Sequence, residues 1–134
     1  MMTVNIDCIY DMLSWHNDEF TQLKGIEYAK ECKYLYPFIL PILPQGSKSI
    51  WENCARVLAS KDDSELKPYL CELFKWFQDI NWPGASVIFD RLLDFKSCAL
   101  TDELELSLKE AKSNCDKPWE SALVAFKNAY FDIV

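Results

Sequence analysis

The sequence predicts an all-α chain, and three observations carry that prediction. Apolar residues recur three and four positions apart over most of the 134 residues, the period of a helix with one buried face. Only three glycines are present and no alternating apolar run competes, so hairpins are not expected. Finally, three segments share one frame: Trp51 to Leu58, Trp82 to Phe89 and Trp119 to Phe126. Each begins with Trp and has a small residue three positions later: Cys54, Ala85, Ala122. An apolar residue follows at six (Val57, Ile88, Ala125) and a large one at seven (Leu58, Phe89, Phe126). The tryptophans stand 31 and 37 residues apart, with one further helix expected between consecutive copies. Self-similarity at that period, two helices per unit, is the mark of an α-solenoid of HEAT type. The expected fold is therefore a HEAT-like solenoid of about seven helices, with an irregular helical bundle as the alternative.

Each element has a local reason. Asn5 can cap a first helix whose Ile6, Ile9, Tyr10 and Leu13 share a face. Asn17 or Asp18 can cap a second, with Phe20, Leu23, Ile26, Ala29 and Cys32 expected inward. Pro37, Pro41 and Pro44 interrupt the pattern between Pro37 and Ser47, so a bent connection or broken helix is expected there. Ser49-Ile50-Trp51-Glu52 matches a capping box and starts a helix reaching about Ser60. A charged turn, Lys61 to Glu65, leads to a fourth helix over Glu65 to Asp79 that buries Leu66, Leu70, Leu73, Phe74 and Phe77. A fifth is expected from Trp82 to Phe95. Thr101 can cap a sixth, with Leu104 and Leu108 inward. Asp116 can cap a seventh, with Pro118 tolerated in its first turn. One all-helical domain over 1–134 results, with a helical pair over 1–36 and the repeats over 47–134.

The polar, aromatic stretch Trp76 to Ala85 lies between two of these helices. Asn81 can serve as N-cap, Pro83 falls in the first turn, and Trp82 fills the repeat slot of Trp51 and Trp119. Gln78 and Asp79 end the preceding helix. The cluster reads as a packed corner before it reads as a catalytic site. The same residues carry a resemblance. Leu73 to Leu93, with Trp76, Gln78, Asp79, Asn81, Trp82, Pro83 and Ala85, resembles the W-x-Q-D-x-N-W-P-x-A signature of an uncharacterised bacterial family of small HEAT-like domains. The resemblance implies the fold and supplies no activity or catalytic residues.

Composition narrows function. The net charge is −7, from 14 Lys and Arg against 21 Asp and Glu, which argues against a phosphate-binding surface and nucleic acid. No apolar run reaches the roughly 20 residues of a membrane span. The N-terminus lacks a basic stretch followed by an apolar one, so a cytoplasmic protein is expected. The six cysteines are never closer than 17 residues, so no CxxC pair offers zinc or redox chemistry. Small buried thiols are expected in place of three disulfides. The only histidine, His16, has no nucleophile motif around it. Asp90 is expected to pair with Arg56 or Arg91 in a structural role. No metal site or cofactor is expected.

Two classes of function remain. A solenoid usually grips a partner, and a small acidic bacterial protein suits an immunity protein that neutralises a competition toxin with a basic surface. Candidate contacts are Asp62, Asp63, Glu65, Asp102, Glu103 and Glu105, with Tyr34 and Tyr36 as anchors. A phage-type inhibitor or an adaptor is the alternative, and an enzyme or small-molecule binder the less favoured class. The free protein is expected to be a monomer.

Overall fold

The computed structural model describes residues 5–39 and 48–133. Among the described residues there are eight α-helices and no strand. They are α1 (Ile6–Leu13), α2 (Glu19–Lys30), α3 (Trp51–Ala59), α4 (Asp63–Leu66), α5 (Leu70–Phe74), α6 (Ala85–Leu93), α7 (Ala99–Ser113) and α8 (Lys117–Ile133). Short 3-10 turns lie at Tyr36–Phe38, Lys48–Ile50, Lys67–Tyr69 and Lys75–Gln78. The chain is all-α, as its periodicity predicts. Within the Pro37–Ser47 connection, the 3-10 turn ends at Phe38, and residues 40–47 lie outside the described residues.

Asn5 caps α1 by accepting the Asp7 N–H, and Asp18 caps α2 by accepting the Thr21 N–H. Asn17 acts backwards instead: its amide donates to the carbonyls of Asp11, Met12 and Ser14 and closes the end of α1. Gly25 sets how α1 and α2 meet. A Cβ there would stand 2.8 Å from Met12 Cβ, so only a glycine admits this approach. At about 100° per residue, Gln22, Gly25, Ile26 and Ala29 then share the inner side, and Phe20 falls almost opposite. Phe20 is 71% exposed and Leu23 54%, which overturns the expectation that both point inward.

The capping box expected at Ser49 is absent, because the chain enters α3 through the 3-10 turn and Ile50 supplies no side-chain cap. Buried Ser49 receives the Ser14 hydroxyl instead. The box occurs at Asp62, whose carboxylate accepts the Glu65 N–H while Glu65 reaches back to the Asp62 N–H. The helix expected over Glu65 to Asp79 is broken twice. Pro68 has no N–H and sits in the 3-10 turn that separates α4 from α5, and a second 3-10 turn follows Phe74. Thr101 does not cap α7, which already begins at Ala99; its hydroxyl donates to the Cys98 carbonyl. Asp116 does cap α8, accepting the Trp119 N–H at 3.1 Å.

The Trp76–Ala85 corner is built differently from the sequence reading. Asp79 Oδ1 accepts the Asn81 N–H in a local turn, so Asn81 is not the N-cap, and Gly84 occupies that place with φ +89°. The helix starts at Ala85 and not at Trp82. Gly84 is required twice over, by its left-handed φ and because a Cβ would lie 2.8 Å from Ala55 Cβ. Gln78 ends the preceding 3-10 turn, half-buried. Trp51 and Trp82 meet edge to face, 5.6 Å between ring centroids. Trp119 departs from their frame: it is fully buried, with its indole N–H on the Phe74 carbonyl at 3.0 Å. Trp76 is also buried and donates to the Pro83 carbonyl.

One core runs from Ile9 to Phe126. Phe74, Phe77, Phe89 and Phe126 form its aromatic centre, with centroids 5.2 to 5.8 Å apart. Each such ring contributes on the order of 2 kcal/mol by leaving water. Of the six free cysteines only Cys54 is buried; Cys8, Cys98 and Cys115 are exposed, against the expectation of buried thiols.

Helix ends are tied by side chains from later elements. Lys61 Nζ donates to the carbonyls of Lys30, the last residue of α2, and of Cys32 just after it. Arg91 donates to the Lys61 carbonyl, and the Tyr130 hydroxyl to that of Phe95. Asn53, buried on α3, donates to the Leu13 carbonyl and to Gln22.

The end of α7 offers a matched pair of tests. The N–H groups of Asp116 and Cys115 return to the carbonyls of Ala111 and Lys112, the helix-ending motif that favours glycine, yet Cys115 holds the left-handed position at φ 54°. Cys115→Gly should raise stability by about 0.5–1 kcal/mol. Gly84→Ala should lower it by about 2 kcal/mol or more, from the left-handed φ and the overlap with Ala55 together. Urea unfolding of the two variants checks both signs.

Candidate protein-binding surface

The acidic candidates separate into committed and free groups. Asp62 is occupied by its cap. The Ser64 hydroxyl and then the Glu65 N–H hold its carboxyl below the usual range. Burial opposes the charge on Asp63, but the Arg91 hydrogen bond, the Lys96 N–H and the Arg91 charge outweigh it, and its pKa is lowered. The Asp63–Arg91 pair spans 2.6 Å and joins the start of α4 to α6. Asp90 makes neither of its expected pairs: Arg91 takes Asp63, and Arg56 takes Glu52. Glu65 completes the cap and lies 3.9 Å from Lys61. Glu105 bonds Lys127 of α8 at 2.8 Å, and that bond and its charge lower the Glu105 pKa. Asp102 is exposed in the first turn of α7, where the helix dipole favours it. Glu103 is half-buried, and together with Glu72 and Glu110 it makes the surroundings of Cys71 negative; burial first, then these charges, raise the thiol pKa against the pull of Lys75.

The aromatic candidates are accessible. Tyr34 is exposed and Tyr36 half-buried, with ring centroids 6.2 Å apart. They follow the end of α2 that Lys61 ties down. At the other end of α2 stand Trp15, Phe20 and Leu23, which sequence reasoning did not single out as a surface. Trp15 is 50% exposed, so three large apolar side chains within nine residues face solvent at the α1–α2 corner. The signal that could have found them is Gly25. A glycine inside a helical pattern marks a close approach, and that approach fixes which side of α2 turns inward.

A polar cleft of about 370 Å³ lies beside this corner, lined by Tyr10, Asp11, Ser14, His16, Asn17, Ser49 and Ile50. Its groups mostly hold the backbone. Ser14 donates to Ser49, Asn17 closes α1, and Tyr10 donates to the Pro37 carbonyl. Burial, then the neighbouring Cys54 and Asp7, pushes the Tyr10 hydroxyl up to about 12, so it remains a donor. The His16 ring packs edge-on to Trp15. Among the described residues its ring bonds no hydroxyl or carboxylate, and no cluster of His, Cys, Asp and Glu is arranged to hold a metal ion.

Residues 42–132 match the family described as Domain of unknown function (DUF5071). The chain belongs to this family. The DUF5071 match covers α3 to α8 and leaves the α1–α2 corner outside it. No curated protein matches the chain. No solved structure matches it.

The Asp63 contact sets a pH test. A lowered folded-state pKa means that the contribution is complete above the unfolded value near 4 and disappears as pH falls through the folded value. Asp63→Asn should therefore be less stable than wild type at about pH 7, and the two should converge at about pH 2. Parallel thermal melts across that range check it.

Proposed function

We propose that the protein is a non-catalytic protein-binding module, of the immunity type that neutralises a bacterial competition toxin in the cytoplasm. The observation that carries this reading is the α1–α2 corner, where Trp15, Phe20 and Leu23 stand exposed. Exposed large apolar side chains gathered in one place mark protein contact, and Trp is among the commonest binding anchors. The net charge of −7 supports a basic partner, drawn in by long-range attraction. Tyr34, exposed past the other end of α2, is a second anchor in this reading, while Asp102 and Glu103 supply charge for steering. A HEAT-like stacking of units accords with the ties that recur at 30, 31 and 35 residues, Arg91 to Lys61, Lys61 to Lys30 and Tyr130 to Phe95. No helix among the described residues is long and apolar enough to cross a membrane. A phage-type inhibitor or an adaptor would use the same surface, and the partner's identity separates them.

The test is co-expression of the tagged chain with the product of the gene next to its own, followed by size-exclusion chromatography. A stoichiometric complex with a toxin domain is expected. Phe20→Ser with Leu23→Ser should weaken it at least about tenfold while leaving folding intact, because both side chains are exposed. Asp102→Lys with Glu103→Lys should slow association and flatten its salt dependence. Reversal at Asp63 is a poor probe, since it breaks the Arg91 tie and unfolds the turn. No complex, or one indifferent to both double variants, overturns the reading.

A further inference from the structure

The outer side of α8 presents a surface that the toxin-binding reading does not use. Trp119, Leu123 and Phe126 turn inward. On the other side Ser121, Val124, Ala125, Asn128 and Phe131 are all exposed, and none is charged, in a chain whose residues are 26% charged. Ser121, Val124, Ala125 and Asn128, with Glu120, line a groove of about 380 Å³. Phe131, 52% exposed, stands beyond its far end. The stripe is bounded by Lys117 at one end and Asp132 at the other, both exposed, and Lys117 is only loosely held by Glu120 at 3.7 Å.

This pattern is complementary to itself in one orientation. Two copies of α8 laid antiparallel, with the two-fold axis between Val124 and Ala125, set Val124 of each against Ala125 of the other. Ser121 then faces Asn128, a donor against an acceptor, and Phe131 reaches the Pro118–Ser121 end of the opposite groove. Lys117 meets Asp132 at both ends. A parallel pairing would set Lys117 against Lys117 and Asp132 against Asp132. The small side chains at 121 and 125, one turn apart, let the two helices approach closely.

We propose that the outer face of α8 is an isologous dimer interface whose occupant is a second copy of this chain. Charge decides between occupants. Two chains of −7 repel wherever their acidic surfaces meet, and this stripe, whose one carboxylate, Glu120, sits half-buried at its edge beside Lys117, is where they can pair. A basic partner finds no row of carboxylates here. One helix face is smaller than the roughly 800 Å² per partner of a standard stable interface, so the dimer is a weak one, with a dissociation constant in the micromolar range. The sequence reading expects a monomer; the proposal departs from that expectation with a concentration-dependent equilibrium.

Sedimentation velocity on the purified chain, from about 1 µM to about 1 mM, tests this. The weight-average mass should climb toward twice that of the chain. Ala125→Glu, which brings two carboxylates to the axis, should raise the dissociation constant at least about thirtyfold, with an unchanged melting curve because Ala125 is exposed. Lys117→Asp and Asp132→Lys should each weaken the dimer, and the double exchange should restore it, an outcome only the antiparallel pairing gives. A wild-type protein that stays monomeric at the highest concentration overturns the proposal. So does a dimer that Ala125→Glu leaves unchanged, or a charge exchange that fails to rescue. None of these results bears on whether Phe20 and Leu23 bind a toxin.

Discussion

Short helices that end inside a protein leave carbonyls with no intrahelical donor, and satisfying them is the constraint on which the rest of this structure depends. The chain meets it with long side chains from other elements. Lys61, Arg91 and Tyr130 reach the carbonyls of Lys30, Lys61 and Phe95, and the indoles of Trp76 and Trp119 reach those of Pro83 and Phe74. Each of these bonds fixes the distance between two elements and at the same time buries part of a large side chain. The aromatic centre around Phe126 can pack closely because the breaks at Phe74 and at the Gly84 corner are already satisfied.

The same constraint explains why acidity in the sequence is a poor guide to a binding surface. Asp62, Asp63, Glu65 and Glu105 look like a solvated negative rim when read as a string. In the fold they cap a helix, orient Arg91 and join α7 to α8. Their charges still contribute to the long-range field, but their geometry is spent on structure. What remains for a partner is the set of apolar side chains that the packing of α2 on α1 turns outward.

Much of the fold was legible in the sequence because it follows from local periodicity. The inner faces of α1, α3 and α8, and the caps at Asn5, Asp18 and Asp116, lie where spacing puts them. The rest depends on close approaches that periodicity does not encode. The start of α6 at Ala85 follows from a single left-handed residue, Gly84. The roll of α2 follows from Gly25, and with it the outward turn of Phe20 and Leu23, which an apolar stripe counted at three and four had assigned to the core. Of the candidate site, Tyr34 was legible as an exposed aromatic, and the α1–α2 anchors were not.

The ties at Lys61, Arg91 and Tyr130 form a series connection: each joins a segment to one about 30 residues earlier, and none bridges two steps at once. Other bonds run beside it: Asn53 beside the Lys61 tie, and the Lys96 N–H beside the Arg91 tie. Severing Arg91, where one guanidinium holds both the Lys61 carbonyl and Asp63, leaves the Lys96 N–H on Asp63 and the packing of α3 on α6 to hold the two parts together. Severing Lys61 leaves α1 and α2, the part outside the family match, held by Asn53 on the Leu13 carbonyl and Gln22 and by the Trp15 N–H on the Ser49 carbonyl. The segment bearing the exposed anchors is therefore held in place by a handful of polar side chains from α3 and the turn after it.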